Sequence, residues 1–98
     1  MIVFELTMPN RGSWNGKWSG ENSRHIRVKS EKSIPNIDKI INKDFYYTWD
    51  DGWTACISAI KMSSKEARKL EKESSGFCGY DWMIDSIINY HKIIKPNY

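Results

Sequence analysis

Phe45-Tyr46-Tyr47-Thr48-Trp49-Asp50-Asp51-Gly52-Trp53-Thr54-Ala55-Cys56-Ile57-Ser58-Ala59-Ile60 sets two runs of aromatic, β-branched and small residues on either side of an Asp-Asp-Gly corner. Such runs favour extended chain, and Asp-Gly supplies the φ > 0 conformations that tight hairpin turns require. The stretch predicts two antiparallel strands, with Trp49 and Trp53 opposite or diagonal near the turn. Aromatic cross-strand pairs of this kind stabilise a hairpin by ~0.2–1 kcal/mol.

Working outward, Ile2, Phe4 and Leu6 alternate with Val3, Glu5 and Thr7, the period of a half-buried strand, and Pro9 ends it. A second alternation starts at Arg24. It predicts Ile26 and Val28 facing the core, with His25, Arg27 and Lys29 on the other side at roughly 7 Å spacing, given a rise of ~3.4 Å per residue. Residues 33–43 carry Pro35 and then Ile37, Ile40 and Ile41, which predicts a short helix after the proline. Ser63-Ser64-Lys65-Glu66 is a capping-box pattern for a surface helix with a thin apolar stripe of Ala67 and Leu70, stopping near Gly76. Its charges are mixed in sign and read as a solvated face.

A last helix opens near Asp81, where a carboxylate suits the helix dipole. Tyr80, Ile84, Ile87, Ile88 and His91 share one face of it, so it reads as the main core helix and His91 as a core histidine. The tail from Lys92 to Pro96 reads either as a short edge strand or as a frayed end. Together these elements predict one α+β domain over residues 1–98: an antiparallel sheet of about four strands with two C-terminal helices packed on one face. The opposite face, with Tyr46, Thr48, Thr54, Cys56 and Ser58, is then left either to solvent or to a second subunit of a homodimer.

Composition narrows the function. At 98 residues with 40% hydrophobic and 28% charged side chains, the chain suits a small folded domain. No apolar run approaches a membrane span, and no secretory leader is recognisable, so a cytoplasmic protein is expected. The net charge is +3, and all of the excess lies in residues 1–34, where Arg11, Lys17, Arg24, Arg27, Lys29 and Lys32 face Glu5, Glu21 and Glu31. That bias favours an anionic partner but is far short of a dedicated duplex-DNA binder.

The same third contains Gly12-Ser13-Trp14-Asn15-Gly16-Lys17-Trp18-Ser19-Gly20, two copies of Gly-x-Trp-polar closed by a glycine. Its composition predicts a long loop between the first two strands, and long connections are often functional. The two indoles either fold back over the core or form a wall of a site for something flat or cationic. The spacing is one residue short of a Walker loop, although backbone amides with Lys17 can cradle an anion without it.

Cys56 and Cys78 lie too far apart in sequence for a metal-binding pair, and His25 and His91 add no second pair, so neither metal nor cofactor is expected. Nothing supports pairing Cys78 with a histidine for nucleophilic chemistry, and a His25 and Lys17 pair lacks a second positioned acid or base. A non-enzymatic binding role is the expectation. An indole to stack a base, backbone amides and a few cations for phosphate would hold a small nucleotide or a single strand, and residues 12–29 supply all of these.

Ser13-Trp14-Asn15-Gly16-Lys17-Trp18-Ser19-Gly20 and Gly76-Phe77-Cys78-Gly79-Tyr80-Asp81-Trp82-Met83-Ile84-Asp85-Ser86 resemble strings in a family of small phage and prophage proteins of low-GC bacteria. The resemblance covers most of the chain and implies a phage accessory protein acting in the host cell. By analogy of class, such a protein counters host defence, either as a sponge for a nucleotide immune signal or by blocking a defence enzyme, as anti-CRISPR and anti-restriction factors do. The expected ligand-binding residues are Trp14, Asn15, Gly16, Lys17, Trp18, Arg24, His25 and Arg27.

Overall fold

A computed structural model describes residues 1–9, 22–50, 52, 54–73 and 80–95, with the side chains of residues 8, 9 and 22–24 outside the description. Four strands, β1 (Ile2–Pro9), β2 (Asn22–Lys29), β3 (Asp44–Thr48) and β4 (Thr54–Lys61), form one antiparallel sheet in the order β2-β1-β4-β3. Two helices follow, α1 (Ser64–Glu73) and α2 (Asp81–Tyr90). The fold is α+β, as its sequence pattern predicts.

Register assigns every strand residue to a face. Ile2, Phe4 and Leu6 of β1 stand level with Lys29, Arg27 and His25 of β2 and with Lys61, Ala59 and Ile57 of β4. Since directly paired residues share a face, these form one side of the sheet. Phe45 and Tyr47 join it through Ile57 and Ala55. Met83, Ile84 and Ile87 of α2 seal this side into the larger core, with Ile34 and Ile40 also enclosed.

Val3, Ile26 and Val28 lie on the other side and pack against Ala67 and Leu70 of α1. The expectation of two helices on one face therefore gives way to one helix on each. The cause lies at the start of β1, where both parities are apolar and buried: Val3 is as enclosed as its neighbours Ile2 and Phe4, although Glu5 and Thr7 follow on its side. Two apolar faces need two covers, and each helix carries one stripe.

The second strand corrects in the same way. Ile26 and Val28 do face a core, but the smaller one, while His25, Arg27 and Lys29 fall on the side of the larger core, at its rim.

Between β2 and β3 the expected short helix is replaced by single 3-10 turns at Glu31–Ser33 and Ile37–Lys39. Asn36 and Asn42 take left-handed backbone conformations, φ 55° and 59°, and interrupt any longer helix on both sides of the second turn. Ile34 and Ile40 are nevertheless buried, and the Asn42 amide donates to the Ala59 carbonyl at 2.8 Å, which ties the connection to β4.

The hairpin is present with a wider corner than Asp-Gly suggests. Thr48 pairs with Thr54, their hydroxyls 2.9 Å apart, and the Gly52 amide donates to the Trp49 carbonyl at 2.9 Å, closing a four-residue turn with Gly52 at φ +88°. The expected contact of Trp49 with Trp53 lies outside the described residues.

At α1 the capping residue acts as its sequence predicts, Ser63 Oγ accepting the Glu66 amide at 3.2 Å. At the end of α2, His91 is not a core residue; it takes a left-handed conformation, φ 60°, and its amide donates to the Ile87 carbonyl at 2.8 Å, closing the helix. The segment after it forms no strand over residues 92–95. It is pinned by Ser86, whose buried hydroxyl donates to the Lys92 carbonyl at 2.8 Å and accepts from the Ile94 amide at 2.7 Å.

Candidate functional site

Both ends of the segment that holds most of the expected ligand-binding residues attach at one end of the sheet. Pro9 pairs with Asn22 there, so the chain leaves for and returns from residues 10–21 at that end, beside the Thr48–Thr54 pair that closes the hairpin. Trp14, Asn15, Gly16, Lys17 and Trp18 lie outside the described residues, and so does the side chain of Arg24, although its backbone is paired with Thr7 in the sheet.

Four aromatic rings gather toward this end on the α2 side. Tyr47 and Trp49, two apart along the chain, meet edge to face at 4.9 Å, and Tyr47 meets Trp82 of α2 in the same manner at 5.3 Å. Tyr80 stands 6.4 Å from Trp49 and completes a quartet of partly buried rings. Edge-to-face pairs at these separations fix ring orientation and contribute about 0.5–1.5 kcal/mol each beyond burial. Sequence reasoning names these aromatics singly and misses the quartet, although the i, i+2 spacing of both pairs was readable.

Of the expected cations, Arg27 is engaged. Its Nη2 donates to Asp81 Oδ1 at 2.9 Å and Oδ2 at 3.2 Å, with the two side chains 40% and 57% exposed. This pair ties β2 to the first turn of α2. A phosphate reaching Arg27 would have to share it with a carboxylate, so Arg27 is a positioning residue first. His25 is half-buried level with Leu6. The structure thus brings His25 and Arg27 together on one strand face.

Trp82 also borders an open groove of about 530 Å³ between α2 and the segment after it. Asp85, Asn89 and Tyr90 line its helix side, Ile94 and Lys95 the other. Its volume lies in the ~300–1,000 Å³ range of small-molecule sites. It mixes an aromatic wall, an amide and one cation, and no motif in the sequence marks it.

The uncovered part of the α1 side is the third surface. Tyr46 is 63% exposed there and Ile60 38%, with Glu5, Asp44, Cys56 and Ser58 on the same face. Ser58 Oγ donates to Asp44 Oδ1 at 2.7 Å, and the free Cys56 thiol hydrogen-bonds with Tyr46 and Ser58. Burial pushes the Cys56 thiol above its ordinary value and the Asp44 carboxylate adds to this, the two hydrogen bonds opposing. Tyr46 is raised as well, by Cys56 first and Asp44 second. A thiol kept protonated is a poor nucleophile.

Among the described residues no three His, Cys, Asp or Glu side chains come together as a metal site would need, and no helix is long and apolar enough to cross a membrane. No protein-family model, no curated protein and no solved structure matches the chain.

Proposed function

We propose that the protein is a non-enzymatic phage anti-defence factor that sequesters a small phosphorylated nucleotide signal at the loop-bearing end of its sheet. The observation carrying this reading is the aromatic quartet of Tyr47, Trp49, Tyr80 and Trp82, which stands toward the same end of the sheet as the Pro9–Asn22 pair, with Arg27 anchored to Asp81 in the first turn of α2. Trp14 and Trp18 stack the base on this reading, while Lys17, Arg24 and, through its field, Arg27 meet the phosphates. The Gly16 backbone and the Asn15 amide supply hydrogen bonds, and His25 closes the polar side. A site of this kind needs a rigid aromatic floor, and edge-to-face packing provides one.

Titration of intrinsic tryptophan emission with a panel of mononucleotides and cyclic oligonucleotides checks the reading. At least one member should shift emission in the native chain and lose most of its affinity in Trp14→Ala and Lys17→Gln. Silence across the whole panel, or unchanged affinity in both variants, overturns it.

A second reading rests on Tyr46 and Ile60, large side chains standing open on a sheet face. Exposed aromatics of this kind anchor protein interfaces. The protein would then block a host defence enzyme, or pair with a second copy, through that face. Tyr46→Ser would abolish capture of a stoichiometric partner on this reading and leave nucleotide titrations untouched on the first.

A further inference from the structure

The charges of α1 are mixed in sign along the chain, yet the helix sorts them. Lys65, Arg68, Lys69 and Lys72 stand at i, i+3, i+4 and i+7, which at 3.6 residues per turn places all four within an arc of about 100°. The centre of that arc points away from Ala67 and Leu70, the residues pressed on Val3, Ile26 and Val28. Glu66 and Glu73 flank the basic arc on one side and Glu71 on the other. All four basic residues are exposed and, with Glu66 at one rim, line a shallow depression. Arg68 Nη1 reaches Glu71 at 3.2 Å, whereas no ion pair among the described residues holds Lys65, Lys69 or Lys72.

We infer that this outer crest of α1 docks the phosphate backbone of single-stranded nucleic acid. Neighbouring positions three and four apart lie roughly 5–6 Å from each other, so the crest is a row of closely spaced point charges. It runs about 10 Å along the axis at ~1.5 Å rise per residue, room for a few phosphates. The shape of the crest selects among polyanions.

A flat anionic bilayer would press on the flanking carboxylates, and α1 has no apolar side chain left for insertion because Ala67 and Leu70 face the sheet. In a duplex major groove, ~12 Å wide, phosphate walls on both sides would meet Glu66, Glu71 and Glu73. A single strand lying along the crest touches the cations and avoids the flanks. This surface shares no residue with the nucleotide site proposed above, so either can fail alone.

Anisotropy of a labelled oligothymidylate, followed from about 20 to about 200 mM KCl, tests it with the full chain. Each phosphate neutralised contributes a slope near −0.7, so about three or four contacts give log K against log salt a slope of about −2 to −3. The Lys65→Gln, Lys69→Gln, Lys72→Gln triple variant should lose at least about tenfold affinity at low salt and most of that slope. Far-UV circular dichroism should stay unchanged, since Gln is as good a helix former as Lys. Lys17→Gln with Arg24→Gln should leave binding in place.

Removing the flanks with Glu66→Gln and Glu73→Gln should strengthen single-strand binding and admit duplex. The inference is overturned by no binding at low salt, by a triple variant that binds as the native chain does, by loss only in the Lys17 and Arg24 variant, or by anionic vesicles binding better than the oligonucleotide.

Discussion

On one side of the sheet Phe4, Leu6 and Ile57 are sealed beneath α2; on the other, one residue further along the same strands, Glu5, Cys56 and Ser58 stand beside an open Tyr46. Both sides carry a helix, but the helices differ in reach. α2 brings Met83, Ile84 and Ile87 to the sheet, and Tyr80, Trp82 and Ile88 widen the contact. α1 brings Ala67 and Leu70 and covers the part of the sheet around β2 and Val3. The width of a helix's apolar stripe, more than the strands beneath it, decides how much of a face is closed, and what remains open becomes available for binding.

The largest expected effect separates the two sides directly. Phe4→Ala should cost about 3–5 kcal/mol, read as a lower urea midpoint at unchanged m-value, because the surrounding core cannot collapse into the void. Tyr46→Thr, a β-prone replacement at an exposed position, should stay within about 0.5 kcal/mol. Equal costs would mean that the open side is not open in solution.

Ala67→Leu sharpens the contrast from the other helix. Ala67 is fully enclosed between α1 and the Val3–Ile26 surface. Extra methylenes there should cost about 1–3 kcal/mol by overpacking. A neutral outcome would mean that α1 rides loosely on the sheet.

The smallest effect is chemical. With Cys78→Ser in the background, Cys56 should react slowly with a disulfide reagent at mildly alkaline pH, since burial first and Asp44 second hold its thiol protonated. Asp44→Asn lowers the thiol's pKa toward the ordinary value and should speed the reaction several-fold. The folded pKa lies above the unfolded one, so this group's contribution to stability is present below the ordinary thiol value and fades as pH rises through the folded one.

Much of the fold was legible because its signals are local. The alternation of β1, the Asp-Gly corner, Ser63 as a cap and the 3.6-residue period of α2 each act over a few residues. The open face was legible too: Tyr46, Thr48, Cys56 and Ser58 share one parity of the hairpin.

What escaped depends on partners far away in sequence. Nothing local in β2 says that its basic parity would fall beside Phe4, or that Arg27 would meet Asp81, because both follow from pairing with β1 and the arrival of α2. The helix expected after Pro35 failed for a local reason, two asparagines in left-handed backbone that bracket the second turn and keep it from lengthening. The aromatic quartet joins residues from β3, its outgoing turn, the N-cap of α2 and α2 itself, and only the i, i+2 spacings hinted at it.

The strand order has a consequence for how the chain finds its shape. β1 sits inside the sheet between β2, which follows it in sequence, and β4, whose Lys61 pairs with Ile2. The β3–β4 hairpin can form alone in about 1–10 μs, but β1 keeps one edge unpaired until that hairpin docks across the intervening chain. Such non-local closure is slow, so the docking of a preformed hairpin onto β1 should limit the folding rate, and the open edge of β1 is the surface at which a half-folded chain would find the wrong partner.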